Sequence, residues 1–322
     1  FADVQAWLDQ IRAGTQGDRT IVEARDIDHD LYPEYILRNR AVYVCIERWG
    51  ARVIAAFVYD PDADTVHQVV GAFTANPAEE HDGEGNDNLR CSAFKDRYAT
   101  GTADHRFTDM DFAAAAPVAG PDSWTFRSLD GAVTKRLRLP SGWDALEGTY
   151  TLDPSVGTLY TRFGLGPNQL DLLHHGAAHL VPDAEDTRRG VRNTSGGTVY
   201  VVRGPAAAFS FGDLPGAGWN RRELPLTEQV ETRGTGTDYA VWMAFSLARA
   251  DDLDGDGLSN EAERSVHLTD WTLPDSDGDG MDDGYEVGNG LLPQTDDGDL
   301  DHDGDGRSNR EEAIANTRAD DP

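Results

Sequence analysis

Three short acidic loops with the same spacing lie within residues 251–322. They begin at Asp252, Asp275 and Asp301, and each follows the pattern Asp-x-Asp-Gly-Asp-Gly. The glycine at the sixth position allows a sharp turn that gathers the carboxylates around one point. Calcium is a hard cation that takes about six to eight oxygen ligands, so this arrangement suits it. Three repetitions in frame therefore predict three calcium-binding loops.

Each loop offers side-chain oxygens at positions 1, 3, 5, 9 and 12, with a backbone carbonyl expected at position 7. The predicted ligands are Asp252, Asp254, Asp256, Leu258, Asn260 and Glu263 in the first loop, Asp275, Asp277, Asp279, Met281, Asp283 and Glu286 in the second, and Asp301, Asp303, Asp305, Arg307, Asn309 and Glu312 in the third. The position-12 glutamates are expected to close the loops with both oxygens. Without calcium we expect these carboxylates to repel one another and the region to unfold, because its apolar residues are few.

The chain of 322 residues has a net charge of −30, and the charge is uneven. Residues 251–322 hold 23 of its 58 acidic residues and four of its 28 Lys and Arg residues. No basic patch stands out in the sequence to neutralise phosphates, so a nucleic-acid partner is not expected. The sequence shows no signal peptide and no apolar run of membrane-spanning length. Because the chain opens abruptly at Phe1, we expect it to be a mature or excised part of a longer protein.

Residues before the loops have a different pattern. Apolar residues at helical spacing predict an amphipathic helix over 1–13, and β-branched and aromatic runs separated by turn residues fill 20–250. The fold class predicted is mostly β, with a large antiparallel β-sandwich. The predicted domains are a helix or linker from an upstream domain at 1–15, the β-sandwich at 16–250 and the calcium-binding repeats at 251–322.

A fourth acidic cluster lies at the start of the β region. Asp26, Asp28, Asp30 and Glu34 could bind a fourth calcium ion, although Leu31 stands where such loops favour glycine. A solvated acidic turn explains the same residues equally well.

Other side chains could carry chemistry in the β region. His174, His175 and His179, with Asp171 and Glu185 nearby, are the candidates for acid–base catalysis, but a polar loop is the favoured interpretation. The loop-like surroundings of Trp143 and Trp219 make them candidates for stacking on sugar rings, against the alternative of core packing. The sequence leaves open whether Cys45 and Cys91 form a disulfide or Cys45 is a buried thiol.

Several segments of the β region occur in a familiar order. They are Glu34-Tyr-Ile-Leu-Arg-Asn39, Glu47-Arg-Trp49-Gly50, Ser92-Ala-Phe94-Lys95-Asp96-Arg97-Tyr98, Thr158–Leu170 and Val191-Arg-Asn193. Together they resemble the non-catalytic β-sandwich that follows the catalytic barrel in glycoside hydrolase family 57 amylases and glucanotransferases. The resemblance implies a fold like the sugar-mutarotase supersandwich, and a catalytic domain upstream of this chain.

The acidic loops separately resemble thrombospondin type 3 calcium repeats of large secreted bacterial proteins, with dockerin modules as the alternative. The resemblances imply a secreted or cell-surface bacterial protein. The function expected is a non-catalytic, calcium-binding accessory region that supports a partner domain or binds glycan. A structural surface or assembly protein built from copies of the chain, and a mutarotase- or glycosidase-type enzyme, are the alternatives.

Overall fold

Antiparallel strands dominate the residues that precede the acidic loops. The computed structural model describes residues 2–27, 31–48, 50–71, 92–100, 103–106, 116–168, 179–210, 228–234 and 236–321. The chain divides into two compact units, Phe1–Leu247 and Ala248–Pro322, which we name the β unit and the repeat unit.

The strands of the β unit form three sheets in which every pairing is antiparallel. The strand order is β1-β2-β3-β4-β5 in the first sheet, β13-β14-β15-β18-β11-β10-β9-β8 in the second and β16-β17-β12-β6-β7 in the third. Their bounds are β1 (Ile21–Arg25), β2 (Glu34–Arg38), β3 (Val42–Ile46), β4 (Val53–Asp60), β5 (Thr65–Val70), β6 (Lys95–Thr100), β7 (Ala103–Arg106), β8 (Val118–Ala119), β9 (Ser123–Arg127), β10 (Val133–Arg138), β11 (Ala145–Leu152), β12 (Leu159–Leu165), β13 (Leu180–Ala184), β14 (Arg188–Asn193), β15 (Thr198–Arg203), β16 (Ala207–Ser210), β17 (Glu228–Gly234) and β18 (Asp238–Ala244).

The predicted N-terminal helix is present as α1 (Ala2–Arg12). It packs Trp7 and Ile11 on an apolar group of the first sheet that includes Ile36 and Tyr43. The Trp7 indole also donates a 2.9 Å hydrogen bond to the Asn39 carbonyl. Strands β2 and β3 are therefore buried on both faces, which explains their nearly continuous apolar sequence. The helix is part of the β unit, while its proposed origin as a linker from an upstream domain stays a prediction.

A buried charged pair joins the second sheet to the third. The Lys135 ammonium of β10 lies 2.8 Å from Asp96 Oδ2 of β6, and both side chains are fully buried. The other carboxylate oxygen, Asp96 Oδ1, accepts hydrogen bonds of 2.8 Å from the Tyr150 and Thr161 hydroxyls. Lys135 Nζ also donates to the Phe94 carbonyl at 2.6 Å. This network gives each of these polar groups a partner inside the core, as burial requires.

The repeat unit is built from short helices that follow the acidic loops. Helix α2 (Leu247–Asp251) precedes the first loop, and α3 (Asn260–Ala262), α4 (Asp283–Asn289) and α5 (Asn309–Ala315) begin at position 9 of the three loops. The helix α3 continues as a π-helical turn, Glu263–His267. The apolar cluster of the repeat unit is small. It consists of Met281, Leu291 and Ala319, against which Tyr285 and Ala313 pack.

The predicted architecture is confirmed in its class: antiparallel β-sheets, an N-terminal helix and a C-terminal region of acidic repeats. Across the described ranges, no helix combines the length and apolar character needed to cross a membrane.

Candidate metal centre

The first aspartate of each loop holds the loop backbone in the same way. In all three loops its Oδ1 accepts a 2.7 Å hydrogen bond from the glycine N–H at position 4. Its Oδ2 accepts from the glycine N–H at position 6, at 3.1, 2.9 and 3.0 Å. The position-6 glycines have φ of +98°, +94° and +99°, which a residue with a Cβ adopts only with strain. The Asp-x-x-Gly-x-Gly spacing thus specifies the turn itself.

The aspartates at positions 3 and 5 each use one oxygen to hold the loop backbone, and those at position 3 leave the other oxygen open. The position-3 Oδ1 accepts from the backbone N–H at position 5, and the position-5 Oδ1 accepts from the N–H of Leu258, Met281 or Arg307. The remaining oxygen of Asp254, Asp277 and Asp303 has no hydrogen-bond partner among the described residues. In each loop, oxygens from positions 1, 3 and 5 lie within 4.8 Å of one another. That spacing allows them to share one cation.

The glutamates at position 12 are buried, and none of them forms an ion pair with a described basic residue. Glu263 and Glu286 are 0% exposed and Glu312 is 2% exposed. At least one carboxylate oxygen of each has no hydrogen-bond partner in the part of the chain that the structure describes. Burial, with the charges of Asp254 and Asp256, raises the pKa of Glu263 to about 8. Burial, with Asp277 and Asp279, raises the pKa of Glu286 to about 8 in the second loop.

The asparagines predicted as ligands at position 9 form hydrogen bonds to the loop backbone. Asn260 Oδ1 accepts from the Leu253 N–H at 3.0 Å, and its amide donates to the Ala250 carbonyl at 2.7 Å. Asn309 makes the equivalent bonds, to the His302 N–H and the Asp297 carbonyl, both at 3.0 Å. These asparagines use both ends of the amide to brace the loop backbone. The position-7 carbonyls and the position-9 side chains stay predicted ligands.

Asp283, at position 9 of the second loop, has two roles. Its carboxylate accepts the Ser276 N–H at 3.0 Å and the Ser276 hydroxyl at 2.6 Å, which braces its own loop. One of its oxygens also lies within 4.8 Å of oxygens from Asp256 and Glu263 of the first loop. Asp283 thus lies close to the carboxylates of the preceding repeat. The spacing of residues within its own loop does not predict this contact.

Consecutive repeats are joined through the aspartate at position 5. Asp256 Oδ2 accepts a 2.9 Å hydrogen bond from the Gly284 N–H of the second repeat. Asp279 Oδ2 accepts one of 3.1 Å from the Asp297 N–H. Asp297 also brings an oxygen within 4.8 Å of Asp279 and Glu286. Sequence reasoning missed Asp297 because it lies outside all three loops, and spacing within a loop gives no sign of it.

The contact between the first two repeats predicts opposite effects for two glycines of α4. A Cβ at Gly284 would lie 2.1 Å from the Asp256 carbonyl oxygen, whereas one at Gly288 would meet nothing within 4 Å. We expect Gly284→Ala to destabilise the calcium-loaded repeat unit by about 1–3 kcal/mol, because the backbone at Asp256 or at Gly284 must move to make room for the methyl group. Gly288→Ala should stabilise it by up to about 1 kcal/mol, because alanine favours a helix interior. Hydrogen exchange of the repeat amides measures both, and equal effects would contradict the contact.

The ligand set identifies the kind of cation. The loops offer carboxylate oxygens, and the acidic groups that the structure gathers contain no His or Cys within the described residues. Oxygen-only sets suit hard cations, and short flexible loops with several carboxylates suit calcium. The buried, unpaired glutamates require a positive charge nearby if they are to ionise at neutral pH. The residues therefore fit calcium.

The fourth acidic cluster is only partly described. Asp26 Oδ2 accepts the Leu31 N–H at 3.2 Å, and Glu34 Oε2 accepts the Ile27 N–H at 2.6 Å. Leu31 has φ of +80°, the conformation for which glycine would be favoured. Asp28 and Asp30 lie outside the described residues, so calcium here stays a prediction.

Of the candidate catalytic group, the structure describes two members. His179 Nδ1 lies 3.2 Å from the Ser195 hydroxyl, and Glu185 pairs with Arg188 at 2.8 Å. Asp171, His174 and His175 lie outside the described residues, as do Trp219 and Cys91. Trp143 is half-buried and Cys45 is buried. The catalytic, sugar-stacking and disulfide hypotheses therefore stay predictions.

Comparison with known proteins supports the repeat interpretation. Residues 252–267 and 301–317 match the family model described as the bacterial TSP3 repeat. The match covers the first and third loops and the helices that follow them. Among curated proteins, none matches the sequence of this chain. The repeat match and the acidic clusters together indicate calcium binding.

Solved structures resemble the chain at low identity. A 4-α-glucanotransferase from Thermococcus litoralis is 13% identical with a TM-score of 0.38, over 74% of this chain and 41% of that one. YidC from Thermotoga maritima is 8% identical with a TM-score of 0.37, over 71% and 51%. A GalM/aldose epimerase homologue from C. elegans is 9% identical with a TM-score of 0.36, over 70% and 99%. The chain thus spans about half or less of the length of the first two of these proteins. Membership of glycoside hydrolase family 57 stays a prediction.

Proposed function

We propose that this chain is a non-catalytic accessory region of a secreted, carbohydrate-active bacterial protein. In this proposal the β unit supports an upstream partner domain or binds glycan, and calcium orders the repeat unit as a spacer or attachment segment. The observation that carries the proposal is the identical hydrogen-bonded frame of the three loops, which gathers carboxylates whose inner oxygens have no hydrogen-bond partner among the described residues.

The expected location follows from the kind of loop. Loops of this weak, exposed type fill at the millimolar calcium concentrations found outside cells. Oxygens from Asp301, Asp303 and Asp305 converge in the third loop. Asp301 and Asp305 are exposed to solvent, so ions can enter this loop directly. Binding of calcium to the folded unit alone would stabilise it by about 2.7 kcal/mol per site at a hundredfold excess over Kd. Outside the cell the unit would stay folded.

Calorimetric titration and turnover assays on the full chain test the proposal. Calcium binding should give a measurable heat and should protect the backbone amides of residues 248–322 from hydrogen exchange. The chain should neither release reducing ends from polysaccharides nor accelerate the mutarotation of sugars. Steady turnover that His174→Ala with His179→Ala abolishes would overturn the non-catalytic function. Titration without heat or protection would overturn the calcium function. Sedimentation in the same buffer shows whether copies associate, and a calcium-dependent assembly would favour the structural alternative.

A further inference from the structure

One face of the third sheet of the β unit lies opposite the main apolar core. In β12 the side chains of Leu159, Phe163 and Leu165 belong to the main apolar core, and the strand alternation turns Tyr160 and Arg162 to the opposite side. The same alternation places Lys95 and Arg97 of β6, and Glu231 and Arg233 of β17, on that side. These six residues define the outer face of the third sheet.

The register gathers these residues into two neighbouring rows. Arg162 stands opposite Lys95 on one side and Glu231 on the other. Tyr160 likewise stands between Arg97 and Arg233. Directly opposed side chains on one face of an antiparallel sheet lie about 5 Å apart at their Cβ atoms. Among these six described residues, four cationic side chains therefore lie close to one carboxylate, in a chain whose net charge is −30.

The single carboxylate of this face is engaged. Glu231 Oε2 lies 2.6 Å from Arg162 Nε, and its Oε1 accepts the Ser210 hydroxyl at 2.5 Å. Arg162 is 5% exposed and Lys95 is 1% exposed, and both have partners within the protein. Arg97 is half-buried and Arg233 is exposed, and neither forms an ion pair with a described acidic residue. These two arginines are placed to meet an anion from solvent.

The aromatic residue between them orders one of the arginines. The Arg97 guanidinium carbon lies 4.6 Å from the centre of the Tyr160 ring, which is a cation–π contact. Such a contact restricts a long side chain before a ligand arrives, and therefore lowers the entropy lost on binding. Arginine presents its N–H groups as a planar fork that matches a carboxylate or sulfate group with two hydrogen bonds.

We propose that the outer face of the third sheet binds acidic saccharides, with Arg97 and Arg233 on their carboxylate or sulfate groups. The charges of Arg97 and Arg233, which pair with no described acidic residue, argue for an anionic ligand. The proposed role beside a carbohydrate-active partner, on which this inference rests, argues for a sugar. Charges more than about 8 Å away are largely screened at physiological ionic strength, so the distant acidic residues do not cancel the local field.

Binding of defined oligosaccharides to the full chain tests this proposal, at fixed pH with millimolar calcium. The probes are trigalacturonate for carboxylate, a heparin hexasaccharide for sulfate, maltoheptaose as a neutral sugar, and poly-glutamate and an oligothymidylate as anions without this chemistry. At least one acidic saccharide should bind more tightly than all three of the others. The carboxylated and sulfated probes show which acidic group is preferred.

Matched variants distinguish the loss of the proposed binding site from a general loss of positive charge. Arg97→Gln with Arg233→Gln should weaken binding of the acidic saccharide by about tenfold for each arginine removed. Arg127→Gln with Arg192→Gln removes two exposed arginines from other strands and should change Kd less than about twofold, since the ligand does not reach them. Tyr160→Ala should weaken binding without any change of charge, because Arg97 loses its support. Thermal unfolding of each variant verifies that it is folded.

Three results would overturn the proposal. They are equal losses of affinity in the two double variants, equal binding of the saccharide and poly-glutamate or oligothymidylate, and binding of maltoheptaose alone. Binding of maltoheptaose alone would contradict an acidic ligand but would agree with a glycan-associated function. The proposed function itself fails on different measurements, because turnover or the absence of calcium binding contradicts it whatever the saccharide result.

Discussion

Stripping calcium from the full chain should unfold the repeat unit, residues 248–322, and leave the sheets of the β unit intact. The repeat unit has a small apolar cluster around Met281 and Leu291, too little to offset the ordering of the chain. Its loops also bury Glu263 and Glu286 without a counter-charge. Calcium supplies that charge, so binding and folding are one equilibrium. Hydrogen exchange should show lost protection after residue 248 and unchanged protection in β10–β12.

A triple variant provides the control for this result. Asp254→Asn, Asp277→Asn and Asp303→Asn remove the charge at position 3 of every loop and keep the oxygen that accepts the backbone N–H. This variant should need much more calcium for the same protection, because each loop loses one charged ligand. Magnesium should substitute poorly, since it prefers a stricter octahedral set and retains its water. Equal protection with and without calcium would contradict the coupling of binding to folding.

The same carboxylates give the calcium-free protein a characteristic pH dependence. Burial and neighbouring charge raise the pKa of Glu263 and of Glu286 from 4.5 to about 8, and that of Asp254 from 3.8 to about 7. Groups whose pKa is higher in the folded state favour folding at low pH, and this advantage is lost as the pH rises through about 8. The metal-free unit should therefore be better protected near pH 5 than near pH 9. With calcium the trend reverses, since protons compete with the ion.

The loops show how far sequence spacing can predict a site. The turn and the convergence of carboxylates from positions 1, 3 and 5 were predictable, because Asp-x-Asp-Gly-Asp-Gly specifies the turn and supplies the carboxylates. Position 9 stays a predicted ligand. Loop spacing does not show that Asn260 and Asn309 also brace the backbone, which they can do because each asparagine donates and accepts at once. The approach of Asp297 to Glu286 depends on how one repeat folds on the next, which no local pattern contains.

In the β unit, strand content followed from β-branched and aromatic runs, whereas the partners of each strand did not. The order of the second sheet places β18 beside β11, strands whose residues are far apart in sequence. Such pairings depend on burial summed over the whole unit. One sign of the core network was present in β10, where Lys135 stands at an inward position between Val133 and Leu137. Alternation predicts that this lysine is buried, and its partner Asp96 emerges only from the fold.

Lys135→Met should strongly destabilise the β unit, with a loss of about 3–5 kcal/mol in the free energy of unfolding. The substitution fills the space of the side chain but leaves Asp96 buried without its cation. Burial already raises the pKa of Asp96, and Lys135 opposes that shift. Arg136→Met on the same strand is the matched control, because Arg136 is 41% exposed and 3.5 Å from Asp122. We expect it to cost less than about 1 kcal/mol. Urea unfolding in saturating calcium measures both.

A second substitution shows whether the missing charge is the cause. Asparagine at position 96 can still accept from the Tyr150 and Thr161 hydroxyls, and it carries no charge. Lys135→Met with Asp96→Asn should therefore recover more than half of the stability lost in the single variant, because no unpaired charge remains. The single variant should also recover as the pH falls, since its Asp96 binds a proton more readily when folded than when unfolded. A double variant no more stable than Lys135→Met would mean that packing around the lysine stem, and not the buried carboxylate, determines the loss.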